Sequence, residues 1–405
     1  MSERRAVTKT IATRYARSDR GAKRTILDEV CDMTGWHRDH ARKALRLALV
    51  LRVAKPRKPR PPLYGEAVIE ALRKCWAVQG TSCGRLLAAS LPDLVPRLRR
   101  FGELDIDDAT AALLLKIAPT TIDRRLKSDR AKLDPRGRSH TKPGTLLKDS
   151  IPMRTWAEWD DARPGFVEID LVGHEGGNSK GEFCFTLDIT DIATGWTETV
   201  SVKNKAQKWV FAAIKEATAA FPFPILGIDS DNGSEFINWG LFRWCEQEKL
   251  TFTRSRSGNK NDGAHVEQKN WHIVRQTVGY HRYDTAAELA LLNRIWALQR
   301  LLTNHFAPQQ KLASKERHGA KITKKYDKPA TPVQRCLADK GAVRVAVKAR
   351  LKRENLPLNP AAIQRQVQAL TAELLTLTTA KSGPKAQPSI RAKSNDSTKQ
   401  PRRAS

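Results

Sequence analysis

The chain has 405 residues, room for two or three domains of about 150 residues each, and 40% of them are hydrophobic, enough for a sizeable core. Lysine and arginine outnumber aspartate and glutamate by 72 to 43, a formal net charge of +29. That surplus points to a polyanionic partner, nucleic acid before an acidic membrane surface. The six cysteines show no C-x-x-C spacing, which argues against a zinc site or a disulfide framework. No apolar run approaches the roughly 20 residues of a spanning helix, and the start "MSERRAVTKT" has no apolar signal core, so the chain reads as cytoplasmic.

The first 140 residues have helical periodicity and a strong basic bias. In "ILDEVCDMTGWHRDHARKALRLAL" an amphipathic helix around Ile26, Leu27 and Val30 meets Thr34-Gly35. A second helix follows, with Ala41, Ala44, Leu45 and Ala48 on one face and Arg38, Arg42, Lys43 and Arg46 on the other. The arrangement fits a helix-turn-helix, and it fits equally an ordinary helical hairpin with a solvated charged face. "DDATAALLLKIAPTTIDRRLKSDR" repeats it: Leu113, Leu114 and Ile117 form a stripe, and Pro119 opens a helix that buries Ile122 and Leu126. That helix presents Thr121, Arg124, Arg125 and Lys127 to a DNA groove or backbone. Between the units "KPRKPRPP" cannot pack a core; as an extended arm it would set Arg57 and Arg60 along phosphates, unless it is a plain linker. The expected divisions are a helix-turn-helix region 1–54, an arm 55–62, a second helical region 63–140 and a linker 141–162.

From about residue 163 the texture becomes mixed α/β. "FVEIDLVGH" and "EFCFTLDITDIATGWTETVSV" read as strands, the second broken by a turn near Ala193–Gly195. A helix over "KAQKWVFAAIKEATAAF" follows, then the strand "PILGID", a helix from about Glu235 to Lys249 and the strand "TFTRSR". Two further helices, "AHVEQKNWHIVRQTVGY" and "TAAELALLNRIWALQRLLTNHF", complete a domain spanning 163–310. Antiparallel strands come first and crossovers later. A basic region 311–380 follows, and a basic tail 381–405 is too polar to pack.

Within this basic chain, "GIDSDNGSEF" gathers Asp229, Asp231 and Glu235 at a strand end. Asp170 falls in the first strand and Glu267 near a helix start, each among apolar or small neighbours where an unpaired carboxylate is costly. Hard oxygen ligands on separate elements suit Mg²⁺. Taken singly, each is as readily a loop or capping residue. Between Asp231 and Glu267 lie 35 residues. That interval, with "FVEIDLVGH", "DSDNGSEF", "KNDGAHVEQKN", "TDIATGWTE" and "KKYDKPATPVQR", resembles bacterial insertion-sequence DDE transposases whose catalytic core is of retroviral-integrase type. The resemblance covers residues from about 160 to 340.

It implies an RNase H-like core, a five-stranded mixed sheet with helices, preceded by all-α helix-turn-helix DNA-binding domains. It also implies two Mg²⁺ ions (or Mn²⁺) held by Asp170, Asp231 and Glu267 as catalytic and metal-binding residues, with Asn232 and Gly233 shaping the turn beside them. By parity Glu168 shares a face with Asp170, and Asp229 with Asp231. The family pattern selects Asp170 and Asp231. Glu235 is expected in the first turn of the following helix. Gln268 and Lys269 stand where many relatives have Arg after the glutamate, and His174 could approach the site or be a strand-end histidine. The loop "RSRSGNKNDG" would bring Arg254, Arg256 and Lys260 to DNA phosphates, joined by Lys269, or remain solvated. The implied activity is transposition: cleavage exposes a 3′-OH at each element end and transesterification joins it to target DNA. The partners are double-stranded DNA and at least one further copy of the chain. A metal-dependent nuclease such as a resolvase, or a non-catalytic DNA-binding regulator, are the alternatives.

Overall fold

The computed structural model describes residues 2–50, 63–132, 163–230, 233, 235–236, 238–254 and 264–381. The chain divides into two compact units, Met1–Leu63 and Tyr64–Ser405. The arm 55–62, the linker 141–162 and the tail from 382 lie outside the described residues.

The first unit holds helices α1 (Ser2–Arg17), α2 (Arg20–Thr34) and α3 (Arg38–Ala48). Asp19 caps α2 by accepting from the Ala22 N–H at 2.8 Å, and Gly35 ends it at φ 71°, a left-handed conformation that glycine adopts without strain. Ala12, Ile26, Leu27, Val30, Ala41 and Leu45 close a small core, as the periodicity of the two amphipathic helices requires.

The second unit begins with α4 (Glu66–Val78), α5 (Gly84–Arg100), α6 (Asp108–Leu115), α7 (Pro119–Arg125) and α8 (Lys127–Ala131). Leu72, Leu87, Leu91, Leu94, Leu114, Ile122 and Leu126 fill its core. Gly84 is where α5 meets α7: a Cβ there would lie 2.3 Å from the Pro119 carbonyl oxygen. Its N–H donates instead to Asp123 Oδ1 at 2.7 Å.

Five strands form one mixed sheet: β1 (Phe166–Gly173), β2 (Phe185–Asp191), β3 (Thr197–Val202), β4 (Gly227–Ser230) and β5 (Thr251–Arg254), in the order β3-β2-β1-β4-β5. The first three pair antiparallel, and β4 joins β1, and β5 joins β4, in parallel. Helix α9 (Gln207–Ala219) makes the crossover before β4, and α10 (Trp239–Gln247) the one before β5. Strand alternation sends Val167, Ile169 and Leu171 of β1 into a core with Val210 and Ile214 of α9 and Leu241 of α10. It sends Glu168, Asp170 and Val172 to the opposite face.

That opposite face carries α11 (Ala264–Lys269), a π-helical segment Asn270–Arg275, α12 (Gln276–Val278) and α13 (Ala286–Leu301), which runs into a second π segment, Leu302–Phe306. The helix expected from about Glu235 starts only at Trp239. Asn238 caps it, accepting from the Leu241 N–H at 2.9 Å, so Glu235 precedes the helix instead of occupying its first turn. The region from 311, read only as basic, contains a hairpin of β6 (Leu312–His318) and β7 (Lys321–Tyr326). Three helices follow: α14 (Pro332–Ala338), α15 (Val345–Asn355) and α16 (Pro360–Lys381). Among the described residues no helix is long and apolar enough to cross a membrane.

Candidate active site

The parallel register of β1 and β4 sets Glu168 level with Asp229, and that of β4 and β5 sets Asp229 level with Thr253. Asp229 is buried and accepts a 2.6 Å hydrogen bond from Thr253 Oγ1. The pairing of β1 with β4 ends at Ile169 and Ser230. The next residues in the chain are Asp170 and Asp231, the latter outside the described residues together with Asn232. Gly233 is buried, and its carbonyl accepts from the Phe236 N–H at 3.1 Å.

Glu168 and Asp170 share a face but have different surroundings. Glu168 is buried, and its Oε2 accepts from the Val266 N–H at 3.1 Å. That amide is one of the unpaired donors of the first turn of α11, whose positive end favours an anion. Asp170 is only half-buried, and its Oδ2 accepts from Asn270 Nδ2 at 2.5 Å. Glu267 lies on α11 three residues before Asn270, so the helix segment that reaches Asp170 also carries Glu267, whose side chain is exposed. The helical stretch that carries Glu267 thus continues into the Asn270 that holds Asp170.

Sequence reading missed a third carboxylate in this row. Asp188 of β2 stands directly opposite Asp170 in the antiparallel register, fully buried, with Oδ1 accepting from Thr199 Oγ1 at 2.7 Å. Burial, and then the Asp170 charge, push its carboxyl above the usual carboxylate range. Lys269 is also buried, at 8% exposure, and burial lowers its pKa against the opposing pull of Asp188. Only the strand register could have revealed Asp188, and Asn270 was legible at most as a polar residue one turn beyond Glu267.

The other expected contacts are distributed as follows. Lys269 faces inward, so the expected surface contact with DNA is not what its position offers. Arg38 is ion-paired with Asp28 and Arg42 lies 3.0 Å from Asp39, while Lys43 is exposed. Arg124, Arg125 and Lys127 are exposed and Thr121 half-buried. Arg254 ends β5, and Arg57, Arg60, Arg256 and Lys260 fall outside the described residues. His174 is fully buried, its Nε2 2.6 Å from Thr186 Oγ1, and burial holds its pKa down to about 3, so it is a neutral core histidine.

Among the described residues no group of three His, Cys, Asp or Glu is gathered as a metal cluster. The donor chemistry present does fit a hard divalent cation: carboxylates of Asp170 and Glu267, and beside them an Asp188 Oδ2 that is buried with no hydrogen-bond partner.

Residues 160–260 match the family model "Integrase core domain". "Uncharacterized protein y4rM" of Sinorhizobium fredii is 40% identical over 342 residues, covering 83% of this chain and 95% of that protein. Among solved structures, the catalytic core domain of BIV integrase is 15% identical and covers 42% of this chain and 91% of its own, with a TM-score of 0.28. The HTLV-2 integrase catalytic core domain in complex with magnesium is 14% identical over 37% of this chain and 93% of its own, with a TM-score of 0.29. The domain match spans the whole mixed sheet, and the relative extends the likeness across most of the chain: this protein belongs to the same family as y4rM and carries an integrase core domain.

Proposed function

We propose that the chain is a DNA transposase that binds the ends of a mobile element, cleaves to expose a 3′-OH and joins that 3′-OH to target DNA. The observation that supports this reading is the docking of α11 and the π segment after it on β1, through Val266 on Glu168 and Asn270 on Asp170, on the stretch that carries Glu267. Asp170, Asp231 and Glu267 are the residues proposed to hold Mg²⁺. When bound, the metal would supply Lewis-acid stabilisation of phosphoryl charge and acidify an attacking water or hydroxyl.

The protein's own residues position and exclude. Asn270 fixes one oxygen of Asp170, and Glu168 anchors the α11 backbone one residue before Glu267. Positioning of this kind supplies much of the rate in phosphoryl transfer, where the protein has little covalent chemistry to perform. The exposed Arg124, Arg125 and Lys127 would grip double-stranded DNA through its phosphates. Joining two ends requires at least two protomers, so a dimer or larger assembly on DNA belongs to the proposal.

A strand-transfer assay tests it, with labelled duplexes from both flanks of the gene in Mg²⁺ or Mn²⁺. Wild type is expected to give joined products, and Asp170→Asn, Asp231→Asn and Glu267→Gln to lose on the order of 10³-fold or more while still binding DNA, since a lost metal ligand is worth several kcal/mol. Nicks without joining would identify a nuclease instead. Binding without metal-dependent cleavage by any of the proteins would identify a regulator.

A further inference from the structure

Immediately beyond Glu267 the chain enters the wall of a cavity of about 310 Å³. The cavity lies between the α4–α5 connection with Gln79, the start of α5 with Arg85, and both π-helical segments, with His272 and Phe306. π-Helical turns are rare and concentrate at functional sites, and two of them line this one space. The wall is basic and rich in amides. Lys269, Arg85 and Lys311 contribute cations, glutamines including Gln79 and Gln276 contribute amides, and among the described residues no carboxylate lines it.

Two groups in the wall lack the partners that burial demands. Lys269 is more than nine-tenths buried, and among the described residues nothing accepts a hydrogen bond from its ammonium. The Asp188 charge steadies it, and an ammonium buried without a hydrogen bond still gains from a further anion that can accept one. Gln79 donates from Nε2 to the Phe306 carbonyl at 2.6 Å, which fixes the amide, and its Oε1 is buried without a hydrogen bond. An orphaned acceptor of this kind calls for a donor. Cations for a phosphate, amides for a base edge and the exposed Tyr326 ring for a base face together describe one chemical class.

We propose that this cavity binds a single nucleotide unit of the DNA, turned out of the stack, with its phosphate toward Lys269, Arg85 and Lys311 and an exocyclic amine of its base at Gln79 Oε1. The assignment rests on the transposase reading for its source, DNA, and adds to it a pocket one residue away from Glu267. A nucleotide held there would anchor the strand whose phosphodiester lies at the carboxylates. Because unstacking a paired base costs energy, an already unpaired nucleotide should bind best.

Two probes test this on the full chain without divalent metal. The first is deoxyadenosine monophosphate, followed by saturation-transfer NMR against thymidine monophosphate and inorganic phosphate. We expect binding by deoxyadenosine monophosphate, weaker binding by the other two, and about tenfold weaker binding in Arg85→Ala and in Gln276→Leu, the loss typical of one charge-assisted or buried hydrogen bond. Arg85 is exposed, so its variant should fold as wild type does. No binding, or equal binding by wild type and both variants, overturns the site. The second probe is an end duplex with one unpaired 2-aminopurine, whose fluorescence should change on binding to wild type and not to Arg85→Ala. If the mononucleotide binds but the bound duplex gives the same signal with both proteins, the pocket takes free nucleotides and its assignment to DNA is wrong. The transposase reading fails separately, by the absence of joined products from wild type.

Discussion

A backbone amide in the first turn of a helix has no partner within that helix, and at Val266 the partner is a buried carboxylate from the neighbouring sheet. Glu168 therefore acts on Glu267 through one peptide unit, as a positioning residue. Glu168→Ala should lower stability by about 1–3 kcal/mol, since it leaves a buried donor unsatisfied. It should also lower kcat for strand transfer with little change in DNA affinity. Glu168→Gln, which keeps an acceptor oxygen, should recover most of both; an alanine variant with full kcat would remove the role. At this scale the motif spacing singled out Asp170 and Glu267, which remain the proposed pair. The sequence left Glu168 and Asp170 equivalent by parity, because what separates them is the arrival of a helix from a distant part of the chain. Asp188 was hidden for the same reason, since its place opposite Asp170 depends on a register that the "LDITD" run does not encode alone.

At the scale of elements, the sheet was readable because its strands alternate or are apolar throughout, and the crossover helix α9 buries Val210, Ala213, Ile214 and Ala217 at helical spacing. The hairpin β6–β7 escaped because its strands show no buried face: all residues of "KITKKY" are exposed. Its one signal was Gly319, at φ 59° in the two-residue turn, a position that suits glycine in tight hairpins. Within it Lys315 stands directly opposite Lys324, an arrangement that like-charge repulsion disfavours unless an anion lies against it. Changing both to Gln should leave the fold intact or slightly firmer. It should also lower the slope of log K for DNA against log salt, by about one for each phosphate that the hairpin no longer neutralises. An unchanged slope, measured by salt titration of binding, would exclude the hairpin from the DNA interface.

Across the second unit, α16 is shared between two cores. Ala361 packs with the leucine-rich core of α4–α7, and Ile363, Val367 and Leu374 pack with α13 and the π segments. Polar contacts reinforce the junction: Arg97 Nη1 donates to the Asn355 carbonyl at 2.8 Å, and Arg365 pairs with Glu103 through two bonds of 2.7 and 2.8 Å. Arg365, and then Asn359, hold the Glu103 carboxyl down to about 2, against an ordinary value near 4.5. A depressed carboxyl stabilises the fold above its unfolded-state value and ceases to do so as pH falls through the folded one. Wild type should therefore exceed Glu103→Gln in thermal midpoint at pH 7, and the two should converge as pH falls from about 4.5 to about 2. A gap that persists at the acid end would assign the effect to packing.

Helix α16 is also the last described element to leave the ribosome, and domains made earlier fold first. Until residues 360–381 have been synthesised, the leucine-rich helices and the integrase core each present an uncovered apolar flank, and only polar contacts such as Gln79 to the Phe306 carbonyl and Arg97 to the Asn355 carbonyl fasten one to the other. Translation thus acts as a clock on this fold. A polypeptide halted before Pro360 would carry every carboxylate of the proposed centre and still lack the apolar brace between the leucine-rich helices and the sheet domain.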